Sequence, residues 1–399
     1  MLLHPSVSFR ALRLFPKLFL AAILVTGCGG GGGGGSGSAP AQSSFTAGPI
    51  TGFGSVIVNG IRFDVSGASV ADDEDEVHGE GDLKLGMVAE IQAGNISVDS
   101  TGSHGHARDV HFRSVIIGPV DAINTSTRLL IVLGQTVDVS NTTVFGDTLP
   151  NGPFGIQVGD VLEIFGMLNT NTGHYQATRI ESKVGAAFFK LRGMVSNLDT
   201  RAQTFVIGGE TISFDNLSGD RNPKLANGML VTAKLRTAQV NGVWSAIALR
   251  TGPRHMGEHD EVELKGRVTS VDSPTQFSVE GIDVDASGAR FRPDGAIIML
   301  GAEVEVEGVA RNGVIIASKV KIEDEDEDEH NGFELHGAVS MLDTNSKTFM
   351  LRGVRISYAG ATFKDGSQSN LADGSQVEVK GILSSDGSGL VAKTIEFEH

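Results

Sequence analysis

Two runs of carboxylates are the most distinctive polar features of the sequence. The first run is Asp72-Asp73-Glu74-Asp75-Glu76, and the second occupies residues 323–329. Unpaired carboxylates repel one another, and a hard cation such as calcium relieves this repulsion by binding about six to eight oxygen atoms. The candidate calcium ligands are Asp72, Asp73, Asp75, Asp324, Asp326 and Asp328. Neither run fits an EF-hand loop, and a solvated, extended linker is the alternative interpretation of both.

Three histidines form a second group of possible metal ligands. The candidates are His78, His104 and His106. The last two lie with His111 on the hairpin that is predicted to close the first repeat of the chain, and His106 and His111 could approach His78 in space. Imidazole nitrogens bind zinc and copper. The alternative is that these histidines are solvated side chains of a hairpin. No cofactor is expected from these patterns, and calcium or another divalent cation is the alternative.

One short motif has the His-x-x-Glu-His order of a class of zinc hydrolases, namely His255-Met256-Gly257-Glu258-His259. That chemistry needs both histidines on one face of a helix, with the glutamate as the base for a zinc-bound water. Pro253 precedes the motif and Gly257 interrupts it, so no helix is expected here. The sequence also lacks a Gly-x-Ser-x-Gly elbow and a phosphate-binding loop. We predict a protein without catalytic residues, and a zinc-dependent hydrolase is the alternative.

The only cysteine follows a segment that has the features of a secretory signal. Arg10, Arg13 and Lys17 precede an apolar run at residues 18–25, which is too short to span a bilayer. The ending Val-Thr-Gly-Cys at residues 25–28 resembles a bacterial lipoprotein box. The resemblance implies cleavage after Gly27 and lipidation of Cys28. An unlipidated signal peptide is the alternative.

The residues after Cys28 predict where the protein is held. A run of glycines at residues 29–35 and a short Ser/Gly segment are typical of a flexible tether. The membrane is therefore an expected partner, through the lipidated cysteine. Gly29 follows that cysteine, and the resemblance to lipoproteins then implies the outer membrane, facing the periplasm or the cell surface.

Length and charge exclude several classes of protein. The 399 residues contain 32 Lys and Arg against 48 Asp and Glu, which gives a net charge of −16. Affinity for nucleic acid comes mainly from clustered basic residues, so no nucleic-acid partner is expected. The single cysteine excludes a disulfide framework and a multi-cysteine zinc site. A chain of this length with 40% hydrophobic residues should form two or more cores.

The rest of the chain consists of five repeats. One anchor is a glycine that leads into an alternating strand, and it recurs after 69 or 73 residues at Gly86, Gly159, Gly228, Gly301 and Gly374. A second anchor is an alanine followed three residues later by an aliphatic residue: Ala107/Val110, Ala177/Ile180, Ala246/Leu249, Ala317/Val320 and Ala392/Ile395. Because two independent anchors keep one spacing, we expect one structural unit per interval.

Each repeat is predicted to contain about five short strands. Residues 262–271 alternate apolar and polar side chains, which is the two-residue period of a strand. Asn241-Gly242 and Asn312-Gly313 each separate two strand-like segments, as in a type I′ hairpin. Five bent strands in about 65–75 residues favour a small, partly open barrel of the OB kind. The predicted fold is all-β with five tandem OB-like barrels, and tandem small β-sandwiches are the alternative.

The predicted organisation is a signal peptide (1–27), a lipid-anchored tether (28–47), five β repeats (48–113, 114–184, 185–251, 262–323 and 333–399) and two linkers (252–261 and 324–332). The first joint leaves little slack between repeats, whereas the last two joints are polar. We therefore expect a string of barrels in which neighbours pack together, with stiffer contacts early in the chain and a looser C-terminal pair.

The start of the first repeat resembles a known family. Residues 48–64, with the sequence Gly-Pro-Ile-Thr-Gly-Phe-Gly-Ser-Val-Ile-Val-Asn-Gly-Ile-Arg-Phe-Asp, are similar to the opening of bacterial envelope domains of unknown function, family 5666. The Val-Glu-Val strand after the anchor glycine and the closing Ala-x-x-Ile/Val strand are similar too. The resemblance covers most of residues 48–399, and the family has no assigned activity. The acidic insert at residues 72–76 departs from its pattern.

These observations predict an exported, membrane-anchored lipoprotein of the cell envelope. It would act as a non-catalytic structural or binding module, with an unknown envelope protein or polymer as its partner. The alternative function is divalent-metal binding, by calcium or by zinc and copper, through the acidic joints and the loop histidines.

Overall fold

The computed structural model describes residues 43–217, 224–251, 256–323 and 332–398. Within these ranges the chain is built from 31 strands, with 3₁₀ turns at Glu80–Asp82, Gly152–Gly155 and Gln368–Asn370. The prediction of an all-β protein is confirmed. None of the helices in the described ranges has the length and apolar character needed to cross a membrane.

The strands fall into five successive groups, which we call the first to the fifth unit. The first unit contains β1 (Ser44–Phe53), β2 (Val56–Val58), β3 (Ile61–Asp64), β4 (Ser69–Asp72), β5 (Val77–His78), β6 (Val88–Ala93), β7 (Ser97–Asp99) and β8 (Gly102–Arg113). The second unit contains β9 (Ile116–Asn124), β10 (Leu129–Val132), β11 (Gln135–Phe145), β12 (Val161–Asn169) and β13 (His174–Ser182). The third unit contains β14 (Phe189–Met194), β15 (Ser196–Asp199), β16 (Thr204–Ile207), β17 (Glu210–Ser213), β18 (Leu230–Leu235) and β19 (Trp244–Thr251).

The last two units have the most regular composition. The fourth unit contains β20 (His259–Ser273), β21 (Gln276–Val279), β22 (Ile282–Asp285), β23 (Arg290–Arg292), β24 (Glu303–Arg311) and β25 (Val314–Ile322). The fifth unit contains β26 (Phe333–Asp343), β27 (Thr348–Leu351), β28 (Val354–Ser357), β29 (Thr362–Lys364), β30 (Gln376–Leu383) and β31 (Gly389–Phe397). The first strand of the chain starts at residue 44, before the predicted repeat boundary, and β20 starts inside the predicted linker 252–261.

All five units close into barrels with one connectivity. In the fourth unit β20 pairs antiparallel with β21 and β24, β22 lies parallel to β25, and β24 pairs antiparallel with β25. The same closed circuit occurs in the first, second, third and fifth units. This is the Greek-key arrangement of an OB-like barrel. The predicted fold class is confirmed, and the chain does not adopt the alternative of tandem sandwiches.

The anchor glycines share one structural role. All five have positive φ, between 79° and 93°, where an L side chain is strained. Each donates its N–H over 2.8–2.9 Å to a carbonyl in the first strand of its unit or directly after it: Gly86 to Ile50, Gly159 to Val120, Gly228 to Val195, Gly301 to Val268 and Gly374 to Val339. The glycine therefore marks the point where the fourth strand of the barrel joins the first.

The hydrophobic cores of the units interlock. The second and third units share one continuous core, which contains Tyr175 and Phe205. Phe45 of β1 is fully buried in the core of the fourth unit, and Phe165 of β12 belongs to the core of the first unit. Burying one large apolar side chain contributes about 1.5–3 kcal/mol. Phe45 and Phe165, each buried in the core of another unit, therefore stabilise the contacts between units as well as the barrels.

Strand pairing joins the first unit to units that are distant in the sequence. Residues 44–47 of β1 lie parallel to residues 261–264 of β20, and residues 52 and 53 lie parallel to residues 334 and 335 of β26. Strands β9 and β14 pair antiparallel and join the second unit to the third. The expected string with a looser C-terminal pair is wrong, because β1 pairs side by side with the first strands of both C-terminal units.

A buried ion cluster connects the first, third and fourth units. Glu280 accepts a hydrogen bond from Nη2 of Arg113 over 3.1 Å, and its backbone carbonyl accepts one from Nη2 of Arg192 over 2.9 Å. Burial, together with the neighbouring charge of Arg113, lowers the pKa of Arg192 to about 10. Because charges at this depth are costly without partners, the three units are held in a fixed relation here.

Candidate functional site

The predicted site residues fall into three groups in the structure. Gly27, Cys28, Asp324, Asp326 and Asp328 lie outside the described residues. Asp72, Asp73, Asp75 and His78 lie together in the first unit, on β4, β5 and the turn between them. His104 and His106 lie on β8 of the same unit.

The acidic turn at residues 73–76 folds tightly over Asp72. Oδ1 of Asp72 accepts hydrogen bonds from the backbone N–H groups of Glu74 and Glu76, both over 2.9 Å. Asp75 takes a positive φ of 65°, which aspartate tolerates better than most residues. The carboxylates of the run therefore point in more than one direction from a compact turn.

The carboxylates of Asp73 and Glu74 contact lysines of the third unit. Nζ of Lys190 lies 2.6 Å from Oδ1 of Asp73, and Nζ of Lys234 lies 2.6 Å from Oε2 of Glu74. The side chain of Lys190 is only 3% exposed and also donates to Ser114. Arg250 of the third unit donates to the backbone carbonyl of Asp73. The first acidic run is thus a docking contact between units and not a solvated linker.

The other acidic residues of the run face a histidine. Asp72, Glu76 and His78, which we call the loop cluster, each offer a ligand atom within 4.8 Å of the others. Nε2 of His78 lies 3.5 Å from Oδ2 of Asp72, and Nδ1 lies 3.7 Å from Oδ2 of Asp82. Because one imidazole and two carboxylates suit a borderline metal ion, this set could hold zinc. Of the predicted ligands it contains Asp72 and His78, and it adds Glu76.

The other predicted histidines do not join this cluster. Nε2 of His104 lies 2.8 Å from the hydroxyl of Thr101 and 3.4 Å from Oδ1 of Asp99. Nδ1 of His106 lies 3.2 Å from Oδ2 of Asp64. Among the described residues, neither belongs to a set of three possible metal ligands within 4.8 Å. The structure brings together His78 and the acidic turn, but not the three histidines.

The His-x-x-Glu-His motif does not form a helix in the part that the structure describes. Residues 256–258 are irregular, and His259 is the first residue of β20. The ring of His259 packs at 5.6 Å from the ring of Phe45, in the core of the fourth unit. Residue 255 lies outside the described ranges.

A second His–carboxylate set lies between the first and fifth units. Glu334, His336 and Glu378, which we call the strand cluster, also have ligand atoms within 4.8 Å of one another. Nε2 of His336 lies 2.7 Å from Oε1 of Glu334 and 3.6 Å from Oε2 of Glu378. Sequence reasoning missed this set. The signal is the alternation along β26 together with its register against β30, which places residues 336 and 378 opposite each other.

Cations surround the strand cluster. Arg62 of the first unit forms an ion pair with Glu334, and Lys380 forms one with Glu378. Burial would raise the pKa of Glu334, but the hydrogen bond from His336 and the charges of Arg62 and Lys380 outweigh burial and lower that pKa. The hydrogen bond to Glu334 raises the pKa of His336 against the opposing effect of burial, and Glu398 adds to the rise. The strand cluster is an ion-pair network with a histidine that favours its protonated form.

A cavity of about 470 Å³ lies where the first, second, fourth and fifth units meet. Apolar side chains on its wall include Ile50, Met167 and Phe333, and charged side chains include Glu305 and Lys321. Burial, followed by a hydrogen bond that protonated Glu305 donates to Glu323, raises the pKa of Glu305. A volume of this size is within the range of small-molecule sites, about 300–1,000 Å³.

The fold and these sites define a protein of tandem OB-like barrels with His–carboxylate clusters at the boundaries of its first unit. Three stretches, residues 117–181, 265–321 and 336–396, match the model of the family described as domain of unknown function (DUF5666). They lie in the second, fourth and fifth units, so the predicted resemblance to this family is confirmed there.

Two further comparisons add little. No curated protein matches the chain. Among solved structures, one titled "drosophila Unr CSD456" is similar over 54% of this chain and 99% of its own, with 12% sequence identity and a TM-score of 0.14. A similarity with so low a TM-score carries no argument about fold or function.

Proposed function

We propose that this chain is an exported, lipid-anchored protein of the bacterial cell envelope that acts as a non-catalytic structural or binding module. Its partners are the membrane, through Cys28, and an envelope protein or polymer. The outer membrane, facing the periplasm or the cell surface, is its proposed location.

The observation that carries this proposal is the joining of five barrels into one body. The pairing of β1 with β20 and β26 joins the first unit to the fourth and fifth, and the buried Glu280 cluster joins the first, third and fourth. The pairing of β9 with β14 adds the second unit to the third. Such a body suits a platform for a partner better than a flexible chain of separate modules does, because binding it costs less conformational entropy. The cavity of about 470 Å³ offers one place where a ligand could be held.

Membrane fractionation of Cys28→Ser tests the anchoring. The expected result is a shift of the protein from the membrane to the soluble fraction, whereas the matched variant Ser38→Ala stays with the membrane. Undiminished membrane association of Cys28→Ser would overturn the lipid anchor. Crosslinking in intact envelopes then tests the binding role. The anchored protein should be crosslinked to a partner, and this crosslink should be lost when Cys28→Ser releases the protein from the membrane.

Divalent-metal binding is a second candidate function, and the loop cluster favours it. Asp72, Glu76 and His78 form a mixed nitrogen and oxygen ligand set within 4.8 Å. Metal analysis of the purified full chain, after dialysis against zinc or calcium and then against metal-free buffer, tests this function. A chain that retains no metal under any loading condition would contradict it.

A further inference from the structure

We propose that Asp72, Glu76 and His78 bind a zinc ion, and that the bound ion fixes the turn that docks the first unit onto the third. The inference rests on the second candidate function, divalent-metal binding, and assigns it a site, a metal and a structural consequence.

The imidazole of His78 is placed as a metal ligand would be. Its Nε2 atom is shielded from solvent and makes no hydrogen bond, although it lies 3.5 Å from Oδ2 of Asp72. Two ligands at about 2.0–2.2 Å from a tetrahedral zinc ion are themselves about 3.4 Å apart, so this spacing leaves room for an ion between the two atoms. Burying a polar nitrogen without a partner costs free energy, and a bound cation would give this nitrogen a partner.

The surroundings of His78 orient its ring. Nδ1 lies 3.7 Å from Oδ2 of Asp82, so the second ring nitrogen faces a carboxylate while Nε2 faces the cluster. Metal-bound histidines usually have a carboxylate partner of this kind, which fixes the tautomer and raises the basicity of the ligand nitrogen. The ring of Phe112 packs edge-on against it, with 4.9 Å between the two ring centroids, and restrains it further. Asp82 is therefore a positioning residue.

The two oxygens of the Asp72 carboxylate have different roles, one in the turn and one in the cluster. Oδ1 of Asp72 accepts the backbone N–H groups of Glu74 and Glu76, and its Oδ2 is the oxygen nearest to His78. Residue 76 is exposed, so its carboxylate can adjust to an ion without a change in the core. Three protein ligands leave one position of a tetrahedral zinc ion open to solvent or to a ligand from outside the protein.

Zinc fits this set better than the calcium ion that the acidic run suggests. Calcium takes about six to eight oxygen ligands, and here Asp73 and Glu74 are engaged by Lys190 and Lys234. Zinc binds imidazole nitrogens and carboxylate oxygens together, as in the set of two histidines and one glutamate of some zinc enzymes. The strand cluster has the same inventory, but Arg62 and Lys380 already neutralise its carboxylates.

Ion binding would act on the contact between units. Asp73 and Glu74 lie between Asp72 and Glu76 in the sequence, so an ion that joins the two ends of the turn restricts the residues that pair with Lys190 and Lys234. Zinc is therefore expected to raise the midpoint of thermal unfolding, because it binds the folded turn and has no preformed site in the unfolded chain.

Titration calorimetry on the full chain tests the inference. The protein carries no histidine tag and has Cys28→Ser, since a free thiol also binds zinc. Expected are one zinc ion per chain, a loss of affinity of at least tenfold in His78→Ala, and a weaker loss in Asp82→Asn. His336→Ala, the matched control from the strand cluster, keeps the affinity.

Each outcome of the titration has a meaning. Unfolding scans without zinc show whether His78→Ala folds, and the shape-conserving variant His78→Gln repeats the test if it does not. If zinc binds and His78→Ala keeps the affinity, divalent-metal binding stands but the assigned site is overturned. If neither protein binds any divalent metal, the second candidate function fails together with the inference.

Discussion

The loop cluster and the strand cluster each contain one histidine and two carboxylates, but their neighbours differ. In the strand cluster Arg62 and Lys380 contact the carboxylates, and His336 lies 2.7 Å from Glu334. Beside the loop cluster, Lys190 and Lys234 of the third unit contact Asp73 and Glu74, which lie outside the ligand set. The comparison teaches that neighbouring cations, rather than the ligand inventory, separate an ion-pair network from a candidate metal site.

Removing one partner of the buried ion pair at the acidic turn should have the largest effect. Asp73→Asn removes the negative charge that compensates the ammonium of Lys190, whose side chain is only 3% exposed, and we expect a loss of about 3 kcal/mol in the free energy of unfolding. Glu76→Gln, in the same run but exposed, should change it by less than about 0.5 kcal/mol in metal-free buffer. Chemical denaturation measures both.

The double variant Asp73→Asn/Lys190→Met shows whether the loss comes from the unpaired charge. It should recover most of the stability that Asp73→Asn loses, because an apolar side chain replaces the buried ammonium. Equal effects of Asp73→Asn and Glu76→Gln would mean that the five acids of the run are not divided between two roles.

Removing the cation that joins the first and fifth units should have an intermediate effect. Arg62→Ala takes away the ion pair with Glu334, whose side chain is 18% exposed, and should cost about 1–2 kcal/mol of stability. Thermal unfolding in metal-free buffer measures the change. Arg108→Ala, at an arginine that bonds only within the first unit, is the control. An unchanged midpoint for Arg62→Ala would show that the strand pairing of β1 holds the fifth unit without this ion pair.

The smallest effect concerns pH. The pKa of His336 is raised in the folded protein, mainly by its hydrogen bond to Glu334. Its contribution to stability is therefore fully present below the pKa of an unfolded histidine, about 6.5, and is lost as the pH rises through the folded pKa. The midpoint of thermal unfolding should fall over this range in the wild type and fall less in His336→Gln. The same slope in both proteins would contradict a role of His336 as a protonated partner.

Local patterns in the sequence predicted the units but not their arrangement. The glycine anchors recur because each glycine takes positive φ and donates to the first strand, which is a constraint inside one barrel. The pairing of β1 with β20 and β26 joins residues more than 200 positions apart, and no periodic signal encodes it. The expectation of a string of barrels with a looser C-terminal pair failed for this reason.

The candidate site was only partly predicted, because part of it also depends on contacts between residues that are distant in the sequence. The sequence indicated Asp72 and His78 because acidic runs and histidines are visible as composition. It did not indicate that Asp73 would face Lys190, which lies 117 residues further along the chain. Nor did it indicate the strand cluster, since residues 336 and 378 meet only through the register of β26 with β30. Chemistry that depends on contacts between units needs the fold first.

X-ray absorption at the zinc edge tests the difference between the two clusters most directly. The account predicts that the full chain with Cys28→Ser and one equivalent of zinc shows only nitrogen and oxygen ligands at about 2.0–2.2 Å, with one imidazole that disappears in His78→Ala and persists in His336→Ala. An imidazole signal that survives His78→Ala but not His336→Ala would contradict the account.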